Sequence, residues 1–367
     1  MSENKTLIKI LMLSPGLSMG GMERQLLLLI RSLQSSNIFI DIALFRKTAE
    51  YPIPSNTRII DLKKRGKVDM LFFLRLFRLI LKGNYDILHS KIDGPNEYLM
   101  LIAGILRKSN IIIESRNSGE IMRKAYYNIR IYFKLFKSQK WKIVCNSMKS
   151  VNEIKQILPN HERIFYIGNG IDTQRFRKIN YQKENTNIII GFVGRKEPTK
   201  NLKVLIYALH NVLKIKRNTK KTISLKLIGP HPNHSYLSEL ISLVNQLGLN
   251  DNVEFIDKIQ RIEEVYNILD LFILPSFVEG TSNSLLEAMA CEKICLVSEG
   301  ADSDNILEKR FVFKNEDVSE LSQKIEIFLQ LSPEENRTIG ENNRRKVVQN
   351  FSIDMLLRKY TELWSQS

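Results

Sequence analysis

Cysteine is scarce in this 367-residue chain, which holds three: Cys145, Cys291 and Cys295. An odd number without ligand-like spacing excludes a disulfide framework and a zinc cluster. The three are expected to be buried thiols in a reducing compartment. A long apolar run is also missing. The most apolar stretch, DMLFFLRLFRLILKG at 69–83, carries Arg75 and Arg78 and falls short of the roughly 20 apolar residues that cross a bilayer. It reads as an amphipathic helix. The opening MSENKTLIKILMLSPG lacks the basic, apolar and small-residue order of a signal peptide, so a cytoplasmic protein is expected. No internal repeat, low-complexity tract or G-x-G-x-x-G fingerprint is evident, and no D-x-D stands in a supporting context.

Positive charge is plentiful. The net charge is +16, and it is uneven. Residues 61–142 hold 18 Lys and Arg against 7 Asp and Glu, an excess of 11. A clustered basic field favours an anionic partner: a phosphorylated ligand, an anionic membrane or a nucleic acid. No nucleic-acid recognition motif accompanies it.

Short β-branched runs alternate with helix-length segments. IKILMLS (8–14), IFIDIALF (38–45), YDILHS (85–90), NIIIES (110–115) and KIVCNS (142–147) read as strands, with helices over 22–34 and 96–108 between them. The order restarts at NIIIGFVG (187–194) and continues through SLKLIGP (224–230), VEFID (253–257), LFILPS (271–276) and ICLVS (294–298). Such alternation means βαβ units and parallel sheets. Two doubly wound α/β domains are expected, 1–168 and 187–350, with a polar boundary over 168–187.

Candidate ligand groups fall on loops that follow strands, where open α/β sheets bind their ligands. Gly20 and Gly21 lie between the first strand and the first helix, at a helix N-terminus suited to an anion. Asp41, about twenty residues on, alternates like a strand residue and is a poor ribose ligand. Arg195 and Lys200 in GFVGRKEPTKN (191–201) suit a diphosphate. In EGTSNSLLEAMAC (279–291), Glu279 lies outside a helix and Glu287 about one turn inside it. Gly280, Thr281, Ser282 and Asn283 between them offer an N-cap and backbone N–H groups. A carboxylate accepts two hydrogen bonds from a vicinal diol, so the arrangement suits a polyhydroxylated anion.

These segments carry a resemblance. GGMERQ (20–25), IGNGIDTQRF (167–176), GFVGR…K (191–200), LIGP (227–230), LDLFILPS (269–276) and EGTSNSLLEAMAC resemble glycosyltransferase family 4, in the family's order along nearly the whole chain. The resemblance implies the GT-B fold: two Rossmann-like domains facing each other across a cleft, with 351–367 as a helix returning to the first. It implies sugar transfer from a nucleotide-sugar, a UDP-sugar foremost, with retention of configuration and without metal or other cofactor. Arg195 and Lys200 would hold the donor diphosphate, Glu287 the ribose and Glu279 the donor sugar, as a catalytic group. Gly20 and Gly21 would lie near the donor phosphate or the acceptor, and Asn169 and Gly170 would form a structural interdomain turn. The sequence departs from the family after NIIIES, where Arg116 stands at or near a usual histidine. His89 is then the nearest remaining candidate, and Lys91 is expected to meet an acceptor phosphate.

The resemblance further implies a glycan or polyprenyl-diphosphate-linked acceptor in surface polysaccharide or O-antigen assembly. KKRGK (63–67), the stretch 69–83 and the basic, aromatic stretch 122–142 would suit peripheral attachment to anionic lipid. A nucleotide-sugar 2-epimerase and a non-catalytic relative on the same fold are the alternatives.

Overall fold

The computed structural model describes residues 7–17, 21–33, 37–46, 57–66, 69–91, 94–115, 120–136, 140–179, 187–215, 222–257, 259–302 and 304–366. The chain forms two compact units, Met1–Gly170 with Ile353–Ser367, and Ile171–Ser352.

The first unit runs β1 (Ile8–Ser14), α1 (Gly21–Ser32), β2 (Ile38–Leu44), β3 (Arg58–Asp61), α2 (Met70–Lys82), β4 (Ile87–Ser90), α3 (Pro95–Ile105), β5 (Ile111–Ser115), α4 (Glu120–Phe136), β6 (Lys142–Cys145), α5 (Met148–Ile157) and β7 (Ile164–Tyr166). Its sheet has the order β3-β2-β1-β4-β5-β6-β7, and every strand pair is parallel. The central strands are covered on both faces, which is why they read as nearly unbroken apolar runs. Alternate residues feed two cores. Leu11, Leu13 and Ile113 pack with Phe72 and Leu76 of α2 and Phe133 of α4. Ile10, Met12 and Ile112 pack with α1 and with Leu356, Tyr360 and Trp364. These last three belong to the chain's final helix. Asp69 caps α2, its carboxylate accepting from Phe72 N at 2.9 Å.

The second unit runs β8 (Asn187–Val193), α6 (Leu202–Ile215), β9 (Thr222–Ile228), α7 (His234–Gln246), β10 (Val253–Ile256), α8 (Ile262–Ile268), β11 (Leu271–Leu274), α9 (Asn283–Ala290), β12 (Ile294–Ser298), β13 (Val312–Phe313), α10 (Val318–Gln330) and α11 (Pro333–Phe351). The final helix, α12 (Ile353–Ser365), belongs to the first unit. The second sheet is ordered β10-β9-β8-β11-β12-β13 and is parallel throughout. Both units are therefore doubly wound α/β sheets.

The polar stretch 168–187 is not all linker. Ile171 bridges to Ser352. The Arg344 guanidinium donates to the carbonyls of Thr173 and Phe176 at 3.1 Å each. Phe176 is buried and stands 6.0 Å from the Tyr266 ring.

Candidate functional site

In the second sheet the chain leaves β8 toward β9 and β10, then returns to β11 on the other side of β8. The strand order reverses between β8 and β11, and loops at the carboxyl ends of such a switch point form the ligand crevice of open α/β sheets. The loop after β8 carries Arg195 and Lys200, and the loop after β11 carries Glu279. A backbone bond from Phe277 N to Thr199 O at 3.0 Å ties the two loops together. Lys200 Nζ consequently stands 2.5 Å from Glu279 Oε1, with both side chains mostly buried. Ser276 Oγ donates to the same oxygen at 2.7 Å.

Two further contacts hold the Glu279 loop. Glu279 N donates to Gly300 O at 2.9 Å, and Gly300 N donates to Asn315 Oδ1 at 3.1 Å. A Cβ on Gly300 would overlap the Phe277 carbonyl oxygen, so only glycine lets the strand-end loops approach this closely.

Past Gly280, Thr281 Oγ1 donates to Asp304 at 2.6 Å. Ser282 is the N-cap of α9, accepting from Leu285 N at 3.5 Å, and Asn283 is the first residue of the helix. The N-terminus of α9, with its positive dipole end, thus follows directly on the loop that carries Glu279. Glu287 is buried, and its Oε2 accepts from the Tyr266 hydroxyl at 2.8 Å. A carboxylate this deep requires such a partner.

Arg195 is largely exposed and pairs with Glu197 at 3.2 Å. Its side chain is open to solvent, whereas that of Lys200 is mostly buried. The neighbouring Lys196 behaves differently. It is fully buried, and its ammonium donates to the carbonyls of Gly229 and, at 2.9 Å, Ile256, with Asp257 Oδ1 at 3.3 Å. Burial pulls its pKa down despite Asp257. Lys196 ties together the carboxyl ends of β9 and β10. An isolated Lys beside an Arg carries no burial signal in the sequence.

The first unit also reverses strand order, between β1 and β4. Gly21 opens α1 there; Gly20 and Arg116 lie outside the described residues. His89 and Lys91 follow at the end of β4, and both are buried. Lys91 Nζ bonds to Glu114 Oε1 and lies 3.1 Å from the Tyr360 hydroxyl. Tyr360 donates to the same Glu114 oxygen at 2.7 Å, and His89 Nε2 is 2.7 Å from it. Lys91, expected to meet an acceptor phosphate, is buried with its ammonium on Glu114 and Tyr360. His89 is likewise a structural member of this buried cluster. Asp41 is buried in β2 and accepts from the Tyr85 hydroxyl at 2.6 Å, in keeping with its reading as a strand residue. Gln25 is buried on α1 and forms a reciprocal pair with Gly170, each bond 2.8 Å. The turn at Asn169 and Gly170 is therefore gripped by the GGMERQ segment.

Comparison with known proteins follows the same division. The family model described as Glycosyl transferases group 1 matches residues 172–346, and that of Glycosyltransferase Family 4 matches residues 19–175. The chain belongs to glycosyltransferase family 4. The capsular polysaccharide biosynthesis glycosyltransferase CapH of Staphylococcus aureus is a family relative, 25% identical over 238 residues, 62% of this chain and 62% of CapH. The chain thus spans about three-fifths of that relative's length. The UDP-Gal:alpha-D-GlcNAc-diphosphoundecaprenol alpha-1,3-galactosyltransferase of Escherichia coli is 22% identical over 330 residues, 85% of this chain and 82% of that enzyme. Anabaena HepE, solved in complex with UDP and glucose, superposes with a TM-score of 0.80 at 18% identity, covering 98% of this chain and 100% of HepE. The fold is accordingly GT-B.

Proposed function

We propose that this family 4 chain is a retaining glycosyltransferase. It moves a hexose or N-acetylhexosamine from a nucleotide-sugar, UDP-sugar foremost, to a glycan or polyprenyl-diphosphate-linked acceptor in surface polysaccharide assembly. The observation that carries this reading is Lys200 and Glu279 held together at the switch point of the second sheet, beside the N-terminus of α9. A diphosphate there meets the Lys200 cation and the positive dipole end of α9. When the bond from the anomeric carbon to the diphosphate oxygen breaks, negative charge builds on that oxygen. Lys200 and Arg195 stabilise that charge. Glu287, preset by Tyr266, receives the ribose diol, and Glu279 receives hydroxyls of the sugar. HepE's complex with UDP and glucose and the E. coli enzyme's UDP-galactose donor and lipid-diphosphate acceptor support the donor and acceptor classes. Three free, buried thiols, with Cys145 and Cys291 pushed up to about 12 by burial, fit the reducing cytoplasm.

The test is a thermal-shift panel of UDP-, GDP- and ADP-sugars on the wild type and Glu287→Ala. A ligand at a hundred times its Kd adds about 2.7 kcal/mol to native stability. The UDP class is expected to raise the wild-type Tm and leave the variant's unchanged. No response to any class at millimolar ligand would overturn the reading in favour of a non-catalytic relative.

A further inference from the structure

In the second unit, α6 follows β8 and α7 follows β9. The starts of the two helices are locked together. Leu202 N donates to the Tyr236 hydroxyl at 3.0 Å, and Tyr236 is buried. Asn233 caps α7, its side chain accepting from Tyr236 N at 2.9 Å. The Lys203 ammonium stands over the Tyr236 ring, 6.0 Å from its centre. Between the helices lies a groove of about 460 Å³, inside the roughly 300–1,000 Å³ range of small-ligand sites.

Its walls are two helix faces. From α7 come Ser235, Ser238, Glu239, Ser242 and Gln246, at the three- and four-residue spacing that sets side chains on one face. From α6 come Lys203 and Tyr207, one turn apart. All of these are exposed, and Leu243 lies buried at the base. Lys203 and Glu239 join the helices at 2.7 Å. Paired, they present little net charge to an ion. An ammonium has three donors and a carboxylate two oxygens, so one mutual bond leaves both able to bond a hydroxyl. The serine hydroxyls and the Gln246 amide both donate and accept, as a sugar hydroxyl does. Tyr207, 41% exposed, adds a rigid ring for the apolar C–H face of a pyranose. An acyl chain or an amphipathic helix finds no anchor here, because Leu243 is the sole aliphatic side chain in the lining.

We propose that the α6–α7 groove is a second saccharide site, which binds a segment of neutral oligosaccharide. It shares no residue with the donor crevice and needs nothing from the first unit. Its existence is independent of the donor reading. Its use, keeping a growing glycan on the enzyme between additions, rests on that reading.

Saturation-transfer NMR on the full chain, with neutral tetrasaccharides of glucose, galactose and N-acetylglucosamine, tests the site. At least one is expected to bind with a millimolar Kd, since few groups contact it, and saturating UDP should leave that binding unchanged. Tyr207→Phe should retain it. Tyr207→Ala should weaken it by about tenfold, the worth of one aromatic partner. Ser242→Arg, which puts a long side chain into the groove from an exposed position of a helix, should abolish it. An unchanged Tm is the folding control for each variant. The proposal is overturned by binding of none of the three sugars, by binding that UDP displaces, or by binding that survives either Tyr207→Ala or Ser242→Arg at full strength. A wild-type thermal response of Tyr207→Ala to UDP-sugar keeps any such failure separate from the donor reading.

Discussion

Glu279→Gln offers the sharpest test of how the donor crevice works. The Lys200 ammonium already has a carboxylate partner at 2.5 Å, reinforced by Ser276. An arriving diphosphate must compete with that partner and approach its negative charge. A hydrogen bond to a charged group contributes a net ~1.5–3 kcal/mol. Glutamine keeps a neutral acceptor and removes the charge, so about half of that term is released to the ligand. A gain of ~1.4 kcal/mol corresponds to about tenfold tighter binding. The gain should differ between ligands. A nucleotide-sugar brings hydroxyls that give Glu279 new partners, whereas free UDP brings none. Glu279→Gln should therefore tighten UDP roughly three- to tenfold, tighten the donor far less, and lower transfer. Titration calorimetry with UDP and with the UDP-sugar, on both proteins, measures the two ratios. Equal or weaker UDP binding by a folded Glu279→Gln would refute the argument, and the pair would then be a static brace.

Two further variants probe the scaffold. Lys91→Met leaves the Glu114 carboxylate buried with a lost cation and should cost about 3–5 kcal/mol in urea unfolding. Adding Glu114→Gln should recover part of that loss, and strictly additive effects would contradict the pairing. Gly300→Ala forces a methyl into the Phe277 carbonyl and should cost about 1–3 kcal/mol. It should also displace Glu279 enough to reduce the thermal response to nucleotide-sugar, and an unchanged response would show that the loop accommodates the methyl.

Much of this architecture is legible before any coordinates. IKILMLS and ICLVS are strands end to end, because central parallel strands are buried on both faces and need unbroken apolar runs. The strands without a sequence signal are β3, β7 and β13, of 4, 3 and 2 residues. Each ends its sheet, where one neighbour and partial burial place little demand on residue type. Within the site, the loop positions of Lys200 and Glu279 follow from strand ends. Their mutual contact does not, because it depends on a backbone bond across 78 residues, from Thr199 to Phe277. The partners of buried charges were hidden for the same reason. Glu114 in an otherwise apolar strand announces that it needs a partner; that the partners are Lys91, His89 and Tyr360 is a property of the fold.

The last helix carries a consequence for biogenesis. α12 supplies Leu356, Tyr360, Leu363 and Trp364 to a core otherwise built from residues 10–167. During synthesis the amino-terminal unit therefore emerges first and is completed last. Until α12 leaves the ribosome, one face of this sheet has α1 but lacks the rest of its cover, and Glu114 lacks Tyr360, whereas residues 171–352 have all of their own chain beforehand. The order of completion in this protein runs opposite to the order of translation, and the nascent amino-terminal sheet is the segment that most needs a chaperone's shelter.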